Sequence, residues 1–126
     1  MRIAIGAIII DLGALLMVRN KNSWILPGGQ IEGDESDEEC LLREISEELP
    51  EMTAEIVQFY GSFEGKSPNR GDHICVKAYF VQATGNIRPG AEISESRWVT
   101  GTFDLPSSEP TIKIVHALQK DGHVLS

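Results

Sequence analysis

Short apolar runs alternate with polar, glycine-containing turns along most of the chain, and this pattern predicts a protein rich in strands. The runs are rich in isoleucine and valine, which favours strands over helices. The first run is apolar enough for a strand that is buried on both faces, and Asp11-Leu12-Gly13 after it is a turn signal. The predicted strands are residues 2–10, 14–19, 24–26, 54–62, 73–83 and 96–100, and the predicted loops are residues 20–23, 28–34, 64–72 and 84–90.

A first helix is predicted from Ser36 to about Leu49. Ser36 followed by Glu39 is the capping-box pattern of a helix start, and Pro50 cannot continue a helix because it lacks the backbone N–H. At about 100° per residue, four aliphatic side chains fall on one arc, which is the predicted buried stripe. They are Leu41, Leu42, Ile45 and Leu49.

A second helix is predicted over residues 111–120, after a serine cap at 107–108 and an early proline, and Gly122 ends it. Its buried side chains are predicted to be one of two sets. One set is Ile112, Val115 and Leu118, and the other is Ile114 and Ala117. Strands interleaved with two helices indicate an α/β or α+β domain in which a mixed sheet lies between helices.

The composition is that of an ordinary globular protein, with 126 residues of which 41% are hydrophobic and 24% charged, and we expect one domain over residues 1–126. The net charge of −8 argues against nonspecific binding to nucleic acid or to an anionic membrane, since both need a basic surface. The apolar stretch 3–18 is interrupted by the turn signal, so it predicts two strands rather than a signal peptide. Cys40 and Cys75 make no disulfide framework, which predicts reduced thiols in a cytoplasmic protein.

Three carboxylates, Glu44, Glu47 and Glu48, fall within an arc of about 100° on the first predicted helix. Like charges at these spacings destabilise a helix by roughly a few tenths of a kcal/mol per pair, and the helix dipole disfavours them in the last turn. A hard divalent cation would turn this penalty into a binding site, because Mg²⁺ and Mn²⁺ prefer carboxylate oxygens. The alternative reading is a solvated acidic face without a ligand.

The residues around these glutamates have a specific spacing. Gly29 is followed after five residues by Glu35, and after seven more by Arg43-Glu44-Ile45-Ser46-Glu47-Glu48. This resembles the Nudix box, G-x5-E-x7-R-E-U-x-E-E-x-G-U, in which U is a bulky aliphatic residue. The segment departs from the pattern at its end, about residues 50–51, where a proline stands in place of glycine and Glu51 in place of the aliphatic residue.

The resemblance implies the Nudix α/β/α sandwich with a central mixed β-sheet. It also implies a Mg²⁺-dependent hydrolase, with Mn²⁺ as a substitute, that cleaves the pyrophosphate linkage of a nucleoside diphosphate derivative. The short chain looks most like the MutT-type nucleoside triphosphate pyrophosphohydrolases. The glutamates at the matched positions, Glu44, Glu47 and Glu48, would be the catalytic metal ligands. The backbone carbonyl of Gly28 would be a further ligand.

Arg43, which belongs to the same catalytic group, would pair with Glu35 and hold the loop that contains Gly29 against the helix, as in the family. The alternative for Arg43 is an ordinary helical ion pair with Glu39 or Glu47. Cys40 projects toward the carboxylates and is interpreted as a small packing residue.

Other candidate site residues lie outside the box. Family members often add one more acid, and Glu92 and Glu95 both stand before the predicted strand that holds Trp98, which we interpret as core. His73 opens a strand and could face substrate, and Pro68 lies near where ADP-ribose hydrolases carry a proline but is also a plain turn former. A nucleobase could stack on one of four aromatic residues that could equally be core, namely Trp24, Tyr60, Phe63 and Phe80.

Three functions remain open from the sequence. The first is the hydrolase, acting on a small nucleotide or nucleotide derivative. The second is a non-catalytic binding or sensor domain on the same fold for a nucleotide or sugar nucleotide, and the third is an acidic interaction domain without a ligand. We expect no nucleic-acid or membrane partner, and either a monomer or a homodimer.

Overall fold

The computed structural model describes residues 1–67 and 71–126. Within these ranges five short strands precede the first helix, and two long strands, another short strand and a second helix follow it. The strands are β1 Arg2–Ile8, β2 Ile10–Asp11, β3 Ala14–Asn20, β4 Ser23–Ile25, β5 Gly28–Gln30, β6 Met52–Lys66, β7 His73–Gly85 and β8 Ile93–Val99. The helices are α1 Asp37–Glu48 and α2 Glu109–Lys120. Neither helix in the described ranges has the length and apolar character needed to cross a bilayer.

The strands of the described residues pair into two sheets of four strands each. The first sheet has the order β5-β1-β7-β6, and in it β1 runs parallel to β7 whereas its other pairs are antiparallel. The second has the order β2-β3-β4, with β8 pairing on β3. Side chains alternate along β3, so Leu15 and Met17 face the core beneath α2 while Leu16 and Val18 face the core beneath α1. The sheets therefore lie between the two helices, and the expected mixed α/β fold is confirmed.

The capping box that starts α1 is present. The Oγ of Ser36 accepts a hydrogen bond from the backbone N–H of Glu39 at 3.1 Å, and the Glu39 carboxylate accepts one from the N–H of Ser36 at 3.0 Å. Two backbone donors without partners in the helix are satisfied in this way. The predicted start of the helix is confirmed.

The end of α1 explains how proline can follow this helix. The capping residue, Leu49, has φ −133° and ψ 68°, so the chain leaves the helix without a left-handed residue. The N–H of Gly90 donates to the Glu48 carbonyl at 2.8 Å and satisfies a backbone acceptor at the helix end. A methyl group on Gly90 would lie 3.0 Å from Cδ of Pro50. The chain can therefore leave the helix without a glycine at residue 50, because Gly90 from another loop donates the hydrogen bond that satisfies the helix end.

The buried face of α1 is rotated slightly from the predicted stripe. Leu41, Ile45 and Leu49 are buried as expected, but Leu42 is 43% exposed, so its assignment to the stripe was wrong. Cys40 is buried in its place, because the helix turns its Cys40 side toward the sheet. This rotation also brings the glutamate at the end of the helix inside the protein.

The start of α2 is confirmed, with Ser108 as the capping residue and Pro110 in the first turn. Neither predicted buried set is correct as a whole. The buried residues include some from each predicted set and two more from the first turn of the helix. This is because the helix packs a wide face over the long hairpin of β6 and β7. They are Pro110, Thr111, Ile114, Val115 and Leu118.

Several predicted loop boundaries were wrong, because strand pairing extends the strands. Residues 28–30 were assigned to a loop but form β5 against β1. The loops predicted at 64–72 and 84–90 start later, since β6 and β7 pair through Lys66 and Gly85. The first strand ends at Ile8 rather than residue 10. Trp98, interpreted as core, is 39% exposed because it lies on the outer part of β8.

Candidate active site

Glu48 is the most buried acid of the candidate site, with 6% of its surface exposed. Its Oε1 accepts a hydrogen bond from the backbone N–H of Gly28 at 3.1 Å. Pairing of β5 with β1 holds Gly28 in place, and any side chain there would collide with the carbonyl oxygen of Ile5. The glycine therefore lets β5 lie close to β1 and direct an N–H at the carboxylate.

The environment of Glu48 disfavours its negative charge. Burial is the largest cause and raises the pKa of its carboxyl group to about 9. A hydrogen bond with Glu44 and the charges of Glu44 and Glu47 raise this pKa further, while the N–H of Gly28 opposes the shift. Burial and the neighbouring carboxylates therefore both favour the protonated form of Glu48.

Glu44 lies against the backbone of β5. Its carboxylate occupies the space into which a side chain on Gly29 would project. Its side chain is 15% exposed, so it is held between the helix and the strand rather than extended into solvent. The glycine that the box places at residue 29 is therefore required for the close approach of this carboxylate.

Arg43 joins the loop before α1 to the helix. Its Nε and Nη2 donate to the two oxygens of Glu35 at 2.6 and 3.1 Å, and Nη2 also donates to the carbonyl of Gln30 at 3.1 Å. Its Nη1 lies 3.1 Å from a Glu44 oxygen and 3.3 Å from a Glu47 oxygen. The predicted pairing with Glu35 is present, and the helical pairing with Glu47 exists beside it.

This network shifts the pKa values of both Glu35 and Arg43. The hydrogen bond from Arg43, followed by the backbone of Glu32, lowers the pKa of Glu35. The same hydrogen bond is the largest cause that raises the pKa of Arg43 above its usual range. The other proposed partner, Glu39, takes part in the capping box instead.

The three box glutamates line one open cleft of about 490 Å³. Gly28, Gly29 and Glu92 line the same cleft. Of the two acids outside the box, the structure thus brings Glu92 to the cleft, immediately before β8. Glu95 lies within β8, and its carboxylate accepts a hydrogen bond from Nη1 of Arg19 at 2.9 Å on the neighbouring strand.

The donor chemistry of the cleft fits a hard divalent cation. Carboxylate and carbonyl oxygens are the ligands that Mg²⁺ prefers, and burial together with the neighbouring carboxylates raises the pKa of Glu48. Among residues 1–67 and 71–126, however, no three His, Cys, Asp or Glu side chains are already arranged to hold an ion. Arg43 draws Glu44 and Glu47 to itself in this structure. Metal binding would therefore require these two side chains, which already line the cleft, to give up their pairing with Arg43.

A second cavity of about 340 Å³ adjoins the carboxylate cleft. The two share Asn20, the strand β5 and Glu92 in their linings. The far end of the second cavity is lined by Arg2, Ser67, Ile74, Ser108 and Thr111, which no sequence motif singled out. The pairing of β1 with β5 and β7 brings Arg2 and Ile74 to the site, whereas Ser108 and Thr111 come from the start of α2.

The aromatic residues proposed for base stacking lie elsewhere. Trp24 is 5% exposed in the core beneath α2, and Tyr60, Phe63 and Phe80 pack against the same core. None of the four is among the described residues that line either cavity. His73 is exposed and lies 3.7 Å from a Glu64 oxygen. Pro68 lies outside the described residues.

Cys40 is a buried free thiol, as the packing interpretation expected. Its Sγ lies 3.7 Å from the carbonyl oxygen of Gly29, to which it donates a weak hydrogen bond. Burial is the main cause that raises the pKa of this thiol to about 11. Cys75 is also free and buried.

Comparison with known proteins agrees with the site. The family model described as the NUDIX domain matches residues 1–102. The chain matches no curated protein, but many solved structures share its fold.

Three of these structures illustrate the range. The solution structure of the E. coli ORF135 protein is 26% identical, with 95% of this chain and 89% of that chain covered and a TM-score of 0.77. A MutT Nudix hydrolase from Burkholderia pseudomallei is 23% identical, with 91% and 95% covered and a TM-score of 0.78. An ADP-ribose pyrophosphatase from Streptococcus suis is 18% identical, with 96% and 91% covered and a TM-score of 0.69. Since the family model matches most of the chain, the protein belongs to the Nudix hydrolase family.

Proposed function

We propose that this protein is a Mg²⁺-dependent hydrolase that cleaves the pyrophosphate linkage of a nucleoside triphosphate. The observation that carries the proposal is the meeting of Glu44, Glu47 and Glu48 in one cleft, where burial and mutual repulsion raise the pKa of Glu48. A surface without a ligand gains nothing from bringing these charges together. A divalent ion would neutralise them, and it would allow a polyanionic substrate to approach a protein of net charge −8.

Each residue of the cleft has a proposed role. Glu44, Glu47 and Glu48, with the backbone carbonyl of Gly28, would hold Mg²⁺, or Mn²⁺ in its place. When bound, the ion supplies charge neutralisation at the phosphate oxygens and lowers the pKa of a coordinated water. Glu92 lines the same cleft from a different element, immediately before β8, and we assign it to accept the proton of the attacking water.

Two residues of the box position the others. Arg43 binds both oxygens of Glu35 and the Gln30 carbonyl, so it fixes β5 and the following loop against α1. Gly29 leaves the space that the Glu44 carboxylate occupies. We retain Glu95 only as an orienting residue for β8, because Arg19 binds its carboxylate.

The proposed substrate follows from the two adjoining cavities. The cleft with the carboxylates would take the phosphates, and the cavity of about 340 Å³ beside it has room for a nucleoside. We propose a single domain over residues 1–126 that acts in the cytoplasm on small molecules, as a monomer or homodimer. Because structural neighbours include an ADP-ribose pyrophosphatase, other nucleoside diphosphate derivatives belong in the test.

The second candidate is a binding domain without catalysis. The hydrogen bonds between Arg43 and two of the glutamates favour it, since they leave the three acids unarranged for a metal. This candidate predicts nucleotide binding that does not depend on a divalent ion. It also predicts no release of phosphate or pyrophosphate.

The test is hydrolysis of nucleoside triphosphates, ADP-ribose and nucleotide sugars with Mg²⁺, Mn²⁺ or EDTA. Triphosphates are scored by phosphate or pyrophosphate release, and ADP-ribose and nucleotide sugars by formation of the nucleoside monophosphate and the sugar phosphate. We expect cleavage that depends on the metal. In Glu47→Gln the activity should fall by more than roughly 10–100-fold, which is the loss typical of removing a residue that only orients a metal ligand. The matched control is Glu51→Gln, three residues beyond Glu48 in a surface pair with Arg88, and it should retain full activity. Folded wild-type protein that binds nucleotide but cleaves no substrate would favour the binding domain.

A further inference from the structure

The cavity beside the carboxylates follows one face of β1. Residues 2, 4 and 6 alternate onto the same face, and all three line the cavity. Gly6 pairs with Gly28 and Ala4 with Gln30, so the small residues lie at the end nearest the carboxylates. A methyl group on Gly6 would lie 3.1 Å from Cδ1 of Leu26, so a larger residue here would have to displace the Leu26 side chain. The floor is therefore open near the phosphate end and carries one long side chain, Arg2, at the other.

The distance along the strand suits a nucleotide. The four residue-to-residue steps from Gly6 to Arg2 span about 13 Å of extended backbone. Gly6 lies opposite Gly28, whose N–H contacts the innermost carboxylate. A span of this size is comparable with the length of a nucleotide from its phosphates to the outer edge of its base. A nucleotide whose phosphates lie at the carboxylates would thus place its base beside Arg2.

Arg2 is oriented by Asp72, just before β7. Its Nε donates to Oδ2 of Asp72 at 2.7 Å, and its Nη2 donates to Oδ1 at 3.2 Å. The pair is partly buried, since the side chains are 29% and 36% exposed. A bidentate pair of this kind fixes the plane of the guanidinium group. The Nη1 group and the second N–H of Nη2 lie on the other edge of that plane and form a parallel pair of donors.

Two hydroxyl groups at this end of the cavity, those of Ser108 and Thr111, already have partners. Oγ of Ser108 lies 2.9 Å from Oγ1 of Thr111 and also accepts from the N–H of Thr111 at 3.4 Å, as the cap of α2. These residues are 7% and 3% exposed. Among the described residues that line this end, Arg2 carries the charge, and we therefore assign the directional recognition of a base to it.

We propose that Arg2, held by Asp72, selects a nucleobase that presents two adjacent acceptors on one edge. Guanine presents O6 and N7, and cytosine presents O2 and N3, so each can accept both donors of one guanidinium edge. Adenine presents an N–H₂ donor next to N7, and each carbonyl of uracil adjoins an N–H donor, so neither offers an adjacent acceptor pair. The inference rests on the proposed function, because it concerns the base of the same nucleotide.

The test compares kcat/KM for GTP, CTP, ATP and UTP. For wild-type protein, GTP, CTP or both should exceed ATP and UTP by about 10–100-fold, the discrimination of one bidentate pair. In Arg2→Gln this ratio should collapse and ATP should gain, since a glutamine amide matches adenine N6 and N7. The change should lie mainly in KM, because the base contact is equal in ground and transition states.

Two further variants separate recognition from a structural role. Arg2→Lys keeps the charge but loses the paired donors, so it should lose discrimination while retaining hydrolysis. Asp72→Asn should reduce discrimination in the same direction and carries the test if Arg2→Gln does not fold. Arg88→Gln is the control, since Arg88 is an exposed arginine whose Nε binds Glu51 at 2.9 Å. It should leave all four kcat/KM values unchanged.

The outcomes distinguish this inference from the proposed function. If wild-type protein hydrolyses all four nucleotides equally, or if Arg2→Gln lowers all four equally, the inference is overturned while the proposed function stands. If wild-type protein hydrolyses none of them, the proposed function fails for triphosphates. The rise in melting temperature caused by GMP, CMP, AMP and UMP then reports base preference without catalysis. If Arg2→Gln removes this preference, the inference is supported for a binding domain.

Discussion

Replacing Glu48 with glutamine should make the metal-free protein more stable while removing its activity. Glu48 is 6% exposed, and its pKa rises from an ordinary value of 4.5 to about 9 on folding. The folded state therefore holds this proton in a pH range where the unfolded state has lost it. The free energy of unfolding then falls as pH rises from about 4.5 towards 9.

The magnitude follows from the same values. Each pH unit above the unfolded pKa removes about 1.4 kcal/mol, so by pH 7 the loss is on the order of 3 kcal/mol. Glutamine does not ionise, and its Oε1 can still accept the hydrogen bond from the N–H of Gly28. The melting temperature of Glu48→Gln at pH 7 should therefore exceed that of the wild type by roughly 10 °C.

The assay is thermal unfolding in EDTA between pH 5 and 9 for wild type, Glu48→Gln and Glu55→Gln. Glu55 lies exposed on β6, so its variant should follow the wild-type curve. The difference between Glu48→Gln and wild type should grow with pH across this window. A Glu48→Gln variant that is less stable than wild type at pH 7, or a difference that does not change with pH, would refute the reasoning.

Two other predictions follow from the contacts around α1. Replacing either Arg43 or Glu35 by glutamine should lower kcat/KM by roughly 10–100-fold, the usual effect of losing a residue that orients metal ligands. The double variant should be no less active than the less active single variant, because the two residues act as one pair. Steady-state kinetics would check both expectations. Cys40, with its pKa near 11, should resist iodoacetamide at pH 8 in the folded protein. Its contribution to stability should be complete below pH 9 and lost as pH rises towards 11, which alkaline unfolding curves would check.

The local signals in the sequence predicted the helix of the site well. Ser36 and Glu39 satisfy each other within four residues, so the start of α1 depends on no distant contact. The fixed spacing of the box then places its glutamates on a known arc. The exposure of Leu42 could not be read in this way, because the rotation of α1 depends on how Cys40 packs against the sheet.

The parts that the sequence did not predict depend on pairing between distant residues. Gly28–Gln30 is a strand only because β1 lies beside it. Glu92 and Glu95 look alike in the sequence, but Glu95 pairs with Arg19 across β3 whereas Glu92 precedes β8 at the cleft. Arg2 and Asp72 are 70 residues apart, and no local pattern relates them.

The most direct test of the central claim is anomalous scattering from crystals of the protein grown or soaked with Mn²⁺. The account predicts an anomalous peak in the cleft, within coordination distance of carboxylate oxygens of the box glutamates, with Glu44 and Glu47 turned away from Arg43. Absence of a peak in this cleft at saturating Mn²⁺, or a peak held only by acids elsewhere on the surface, would contradict it.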